Sequence, residues 1–303
     1  VEAISDTGVV RDHNEDEFLI IPDLSSSINS DDINTNVGYD VPLNGSLYIV
    51  VDGMGGGNIG EVAASLTIET IYSYFNENIS QLIEEGFNEV IQVFFNKAIQ
   101  YCNEKLSRQS QGNKEMMGIG SSVVFTWVRG DQAYIGWVGN CRAYYYDSVK
   151  LELLTEDHTL ENELIEKGDL HKFEDNIDTQ YHIINQILGS YDKIIVPGFC
   201  VKTMNEEGKL LLVSDGVHGL ISDREIEECF TQHVKGGNIT RDLINKVNDH
   251  GGYDNITVLV CEVIDTNVLV EEKVYEEPKS QTLKRVIVFT VIVVSVLVLL
   301  FAL

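Results

Sequence analysis

Basic side chains are scarce in this chain of 303 residues: 21 Lys and Arg stand against 48 Asp and Glu, a formal net charge of −27. A surface of that sign repels phosphate backbones, so nucleic acid is not expected as a partner. Paired cysteines are missing too. The five present (Cys102, Cys141, Cys200, Cys229, Cys261) form no CxxC pair and are odd in number, which argues against a disulfide framework and a structural zinc site and leaves reduced, buried thiols. The seven histidines lack ligand spacing, so a zinc enzyme is disfavoured. No internal repeat is visible, and no GK[ST] follows the glycines at 55–60, which argues against a P-loop.

What the chain has instead is a set of short acidic segments spread along it: Asn14-Glu15-Asp16, Asp52-Gly53-Met54-Gly55-Gly56, Ser214-Asp215-Gly216 and Gly251-Gly252-Tyr253-Asp254-Asn255. Apolar, strand-like runs at 47–51, 210–213 and 256–260 adjoin three of them. If folding gathers those strand ends, the carboxylate oxygens meet at one spot, as a hard divalent cation requires. Any one of these clusters alone reads as a solvated turn; the set argues for a site. Two local alternatives fail. Residues 55–60 match GxGxxG, but the next long element is a helix rather than a second strand with an acidic residue. Asp12 to Asp16 resembles the start of a calcium loop, yet Glu17 occupies the position that needs glycine and Asp23 the position that needs glutamate.

Strands are expected at 2–5, 17–21 and 47–51, with a polar surface loop over 23–45 between the second and third. Two amphipathic helices follow, one with Ala63, Leu66, Thr70, Ile71 and Tyr74 on its apolar face, the other with Phe87, Val90, Ile91, Phe94, Ala98, Tyr101 and Cys102. Hairpins are expected at 122–138 and 143–154, helices at 160–167, 223–232 and 240–249, and strands at 194–203, 209–213 and 256–263. Several strands are apolar on both faces, which fits two stacked sheets covered by helices. Residues 265–281 are acidic and read as a solvated tether. Residues 286–303 carry no charge or helix breaker over about 27 Å of helix and read as a membrane span. Lys279, Lys284 and Arg285 precede it with no charge beyond, which puts the soluble part in the cytoplasm.

The segments 6–16 (DTGVVRDHNED), 52–56 (DGMGG), 117–122 (MGIGSS), 137–146 (WVGNCRAYYY), 154–159 (LTEDHT), 210–217 (LLLVSDGV) and 251–258 (GGYDNITV) together resemble the metal-dependent protein phosphatase family, type 2C, in its bacterial form. The resemblance implies an α+β fold, a four-layer α-β-β-α sandwich of two antiparallel sheets flanked by helix pairs, here followed by one transmembrane helix. It implies a phosphatase domain over 1–265; the composition beyond it reads as an acidic linker over 266–283 and an anchor over 284–303. The resemblance also implies hydrolysis of phosphoserine and phosphothreonine by a water activated between two metal ions, reversing a Ser/Thr kinase, and the apolar span sets this at the cytoplasmic face of a membrane. On this pattern Asp52 bridges two Mn2+ or Mg2+ ions, the Gly53 carbonyl, Asp16, Asp215 and Asp254 complete their shell with Glu15 beside them, and Arg11 grips the substrate phosphate. Met54 stands where many eukaryotic relatives have a histidine able to protonate the leaving group. Gly139-Asn140-Cys141 stands where the family usually has Gly-Asp-Ser; that aspartate holds a third, weaker metal in bacterial members, and an amide at Asn140 puts the third site in question. The competing expectation is a phosphatase-like binding or sensing module with weakened catalysis.

Overall fold

The computed structural model of the chain describes residues 1–24, 42–55, 58–85, 88–168, 183–191, 194–232 and 238–262. One unit comprises Val1–Val263 and a second Ile264–Leu303; the expected linker and membrane span lie in the latter, outside the described residues. Among the described residues no helix is long and apolar enough to cross a membrane.

The layering follows from strand parity. In β3 (Ser46–Met54), Leu47, Ile49 and Val51 enter one core while Tyr48 and Val50 enter another. Successive side chains point to opposite faces, so a strand apolar at every position must be covered on both sides. β3 lies in a sheet of order β2-β3-β4-β5-β8, formed with β2 (Asp16–Ile21), β4 (Gly120–Arg129), β5 (Gln132–Val138) and β8 (Gly198–Thr203). The second sheet runs β1-β10-β9-β6-β7, from β1 (Glu2–Asp6), β6 (Arg142–Tyr146), β7 (Leu151–Leu153), β9 (Lys209–Val213) and β10 (Ile256–Glu262). All named strand pairs are antiparallel. Between the sheets lies a core of Ile20, Tyr48, Val50, Val124, Ile135, Leu210, Leu212 and Leu259.

The outer faces are closed by helices. α1 (Asn58–Glu85) buries Ala64, Ile68, Ile71, Phe75, Ile79 and Leu82, a three-and-four spacing that makes one stripe. α2 (Asn88–Gly112) adds Ile91, Phe95, Ala98, Ile99 and Cys102, and the Phe95 ring stacks on Phe125 of β4 with centroids 4.9 Å apart. On the other sheet, α5 (Asp223–Gln232) and α6 (Ile239–Asp249) pack Ile226, Phe230, Leu243, Ile244 and Val247 against Tyr144, Leu211, Val213 and Val258. Two short helices complete the set, α3 (Leu160–Glu166) and α4 (Asp215–His218).

Two local expectations need correction. The strand expected from 194 begins at Gly198: Pro197 has no N–H to give a ladder, and Ile194 and Val196 are 88% and 63% exposed. Tyr101 keeps 42% of its surface in solvent, its ring lying under Lys105 and against Tyr74 rather than in the core. Beyond these, β9 leads through Ser214 into α4, a helix too short to show a period in sequence.

Candidate active site

Asp16 and Asp52 face each other across β2 and β3 as register partners. Both continue the parity of Ile20, Tyr48 and Val50, so they extend the inter-sheet core at its open end. Side chains so paired stand about 5 Å apart, where like charges repel. The second sheet reaches the same end. Leu210 and Leu212 share the inter-sheet face of β9, and Ser214 follows in phase; its hydroxyl donates to Asp16 Oδ2 at 2.6 Å and accepts the Thr257 N–H at 2.9 Å. Asp215 opens α4, and Asp254 lies just before β10, its Cβ 3.4 Å from the point a Gly216 Cβ would occupy.

The backbone approaches this end closely. Gly53 N–H donates to the Glu15 carbonyl at 3.1 Å, and a Cβ on Gly53 would fall 1.9 Å from the Gly60 carbonyl oxygen, so only glycine fits. The Gly53 carbonyl oxygen and Glu15 Oε2 each lie 2.6 Å from the point a Gly60 Cβ would occupy, which brings these two oxygens to one side of the site.

Four of the carboxylates gathered here, Glu15, Asp16, Asp52 and Asp215, resist ionisation. Burial pushes Asp16 up to about 7, with Asp215 and Asp254 adding to the rise and the Ser214 and Thr257 hydrogen bonds opposing it. Asp52 is raised well above the ordinary carboxylate range by burial, then by Asp215, Asp16, Asp254 and Glu15. Asp215 is raised by burial, against the pull of His218 and the Asn140 amide, and Glu15 is raised by burial against Arg11. Excess negative charge in a half-closed, all-oxygen setting suits a hard divalent cation, and the donor set fits one better than it fits zinc. Among the described residues no three His, Cys, Asp or Glu side chains are drawn to a common coordinating point. Asp16, Asp215 and Asp254 are each turned to a protein donor, namely Ser214, Asn140 and Arg11.

Arg11 sits at the rim, half exposed, with Nη2 2.9 Å from Asp254 Oδ2 and Nε donating to the Tyr253 carbonyl at 3.3 Å. Asn140 is held more tightly. Its N–H and that of Cys141 donate to Ser122 Oγ at 2.9 and 2.8 Å, and its carbonyl lies 2.9 Å from His218 Nε2. Its side-chain Nδ2 donates to Asp215 Oδ2 at 2.9 Å, the orientation electrostatics demands, because the amide oxygen would repel a carboxylate there. Asn140 Oδ1 is left buried without a hydrogen-bond partner.

The structure therefore brings Glu15, Asp16, Asp52, Gly53, Asp215 and Asp254 to one end of the sandwich, with Arg11 at its edge and Asn140 against Asp215. The sequence did not mark the residues that hold them. Asn255 Oδ1 accepts the Glu15 N–H at 2.9 Å, while its Nδ2 donates to the Thr7 and His13 carbonyls at 3.0 and 2.8 Å. Ser122, Ser214 and His218 act likewise on their neighbours. Ser214 and Asn255 stand inside the acidic segments, Ser122 inside the segment 117–122 and His218 three residues beyond Asp215, but no local pattern assigns them a supporting role.

Comparison with known proteins places the chain in a family. The protein phosphatase 2C family model matches residues 25–248, and the chain belongs to that family. Serine/threonine phosphatase stp of Listeria monocytogenes serotype 4b (strain F2365) is 30% identical over 258 residues, covering 85% of this chain and 93% of its own. The serine/threonine phosphatase of S. agalactiae superposes with a TM-score of 0.70 at 26% identity, covering 86% of this chain and 98% of that one. The catalytic domain of the serine threonine protein phosphatase PstP, solved in complex with 2 manganese ions, gives a TM-score of 0.63 at 25% identity, covering 87% of this chain and 97% of that one. The chain is accordingly an enzyme, a bacterial-type serine/threonine phosphatase.

Proposed function

We propose that this phosphatase removes phosphate from serine and threonine side chains of proteins with two Mn2+ or Mg2+ ions held by Asp52 and the Gly53 carbonyl together with Asp16, Asp215 and Asp254, Glu15 standing beside them. The observation that carries the reading is the meeting of Asp16, Asp52, Asp215 and Asp254 at one end of the sandwich, with Asp16, Asp52 and Asp215 raised by burial and further by neighbouring carboxylates. Manganese bound to a relative of the same fold supports the choice of ion. When bound, the ions supply positive charge for the phosphoryl oxygens and lower the pKa of a water.

The chain's own groups do the rest. Arg11 meets the phosphoryl oxygens from the rim, its planar fork suited to paired hydrogen bonds. It faces Asp254, so phosphate binding exchanges one anionic partner for another without leaving a bare cation. Asn255 and Ser214 fix Glu15 and Asp16 in register. Residues 286–303 would anchor the enzyme in a membrane with its catalytic unit on the cytoplasmic side, where it opposes a Ser/Thr kinase.

The test is release of phosphate from a small aryl phosphate by the purified chain. Activity that requires manganese and vanishes with a chelator is expected. No activity with either ion would instead favour a phosphatase-like binding module, a reading whose one specific support is the neutral Asn140. Recovery of the full chain in the soluble fraction would refute the anchor.

A further inference from the structure

An exposed apolar surface borders Arg11 and Asp254 and takes no part in holding the carboxylates. Val9, Val10 and Tyr253 are 66%, 57% and 63% exposed in a strongly acidic protein. They are held together. The N–H groups of Val9 and Val10 both donate to the Gly252 carbonyl, at 2.8 and 3.2 Å. A Cβ on Gly252 would lie 2.9 Å from a Val9 methyl, and one on Gly251 would lie 2.7 to 3.0 Å from Tyr253 ring atoms. Both glycines have positive φ, +120° at Gly251 and +49° at Gly252. The turn therefore seats the tyrosine ring on one glycine and the valine on the next, so these side chains are placed rather than free.

Arg11 joins this surface to the reaction site. Val10 directly precedes Arg11, Tyr253 directly precedes Asp254, and Arg11 Nε donates to the Tyr253 carbonyl. Consecutive residues of an extended peptide are about 3.8 Å apart. A polypeptide that offers a phosphoryl group to Arg11 has its neighbouring side chains within reach of these residues. Exposed apolar groups contiguous with a site mark a contact surface.

We propose that Val9, Val10 and the Tyr253 ring form a specificity shelf that takes an apolar side chain flanking the phosphoserine or phosphothreonine of the protein substrate. This rests on the reading of Arg11 as the phosphate-binding group.

The test uses the full chain with manganese, a small aryl phosphate, and two phosphopeptides identical except for leucine or serine next to the phosphothreonine. The expected result is a preference for the leucine peptide of about tenfold in kcat/KM, expressed in KM, the scale an apolar contact gives. Tyr253→Ser, and separately Val9→Ser with Val10→Ser, should erase that preference, lowering the leucine peptide relative to both other substrates; Tyr253→Phe should retain it. Two independent variants keep the test open if one misfolds. Equal use of the two peptides by the wild type, or a preference that survives both sets of substitutions, overturns the shelf while leaving the phosphatase reading intact. A third peptide with lysine at that position, preferred equally by wild type and Tyr253→Ser, would assign selectivity to net charge and also overturn it. Failure to hydrolyse the aryl phosphate overturns the underlying reading and the shelf with it.

Discussion

Replacing Asp16 with asparagine should stabilise the cation-free protein above neutral pH while abolishing its hydrolytic activity. Asp16 is buried opposite Asp52, and its carboxyl is pushed up from an ordinary 3.8 to about 7. Between those values the folded state keeps a proton that the unfolded chain has released. Stability therefore falls as pH rises through that window and is lowest above it. A gap of about three pH units amounts to on the order of 4 kcal/mol, at about 1.4 kcal/mol per unit. Asparagine has no charge to bury. Its amide oxygen can still accept from the Ser214 hydroxyl, and the strength of the present 2.6 Å bond is already counted in that pKa, which it lowers. The gain at pH 8 is then on the order of 4 kcal/mol, or about 8–16 °C in Tm for a domain of this size. Thermal unfolding followed by circular dichroism in chelator, at pH 8 and pH 4.5, measures it. At pH 4.5 the variant should lose its advantage, because little of the pH penalty has accumulated there. Manganese at pH 8 should raise the wild-type Tm and leave the variant nearly unmoved. An Asp16→Asn protein less stable than wild type at pH 8 without metal, or a difference independent of pH, would refute the account of this site as repelling carboxylates awaiting cations.

Asp52→Ala and Asp254→Ala should each reduce aryl phosphate hydrolysis to background at saturating manganese while leaving a folded protein by circular dichroism, since both would hold the ions; ordinary turnover in either would remove the mechanism. Arg11→Ala should raise KM, and Arg11→Lys should fail to restore it because an ammonium lacks the planar fork; the assignment fails if KM is unchanged and manganese binding by calorimetry is lost instead. Asn140→Asp would set a second carboxylate where Nδ2 now lies 2.9 Å from Asp215. Calorimetric titration should then show an added manganese ion per chain, and equal stoichiometry in both proteins would contradict a third site weakened by the amide. Removing residues 284–303 should release the chain from membranes with aryl phosphate activity retained, which fractionation and phosphate release together would show.

Much of this fold could be read from local pattern. The strands expected at 2–5, 17–21 and 47–51 all lie within strands β1, β2 and β3, and α5 spans the expected residues, because parity and helical period are short-range signals. Ile194 and Val196 mislead because two apolar residues ahead of a proline look like a strand end, while exposure is set by what packs there. The acidic residues of the site were legible because three of their four segments adjoin an apolar run and because the segments occur as a set. Their supports were not. Ser214 meets Asp16 across 198 positions and Asn255 meets Glu15 across 240, and such pairings depend on register between sheets, which no window of sequence contains.

Asn255 ties Thr7, His13 and Glu15 to the entrance of β10, and β10 itself pairs with β1 from Glu2↔Val260 to Asp6↔Ile256. Residues near the two ends of this unit are thus joined beside the proposed metal site. During synthesis, residues 1–16 leave the ribosome long before their partners in β9 and β10 exist, and the carboxylates among them have nothing to converge on. Contacts of such wide separation close late in folding. A nascent chain stopped anywhere short of Asp254 lacks the last corner of the site, however well its earlier helices have formed. Competence to remove a phosphate is in this molecule a certificate that the whole catalytic unit has been made and closed.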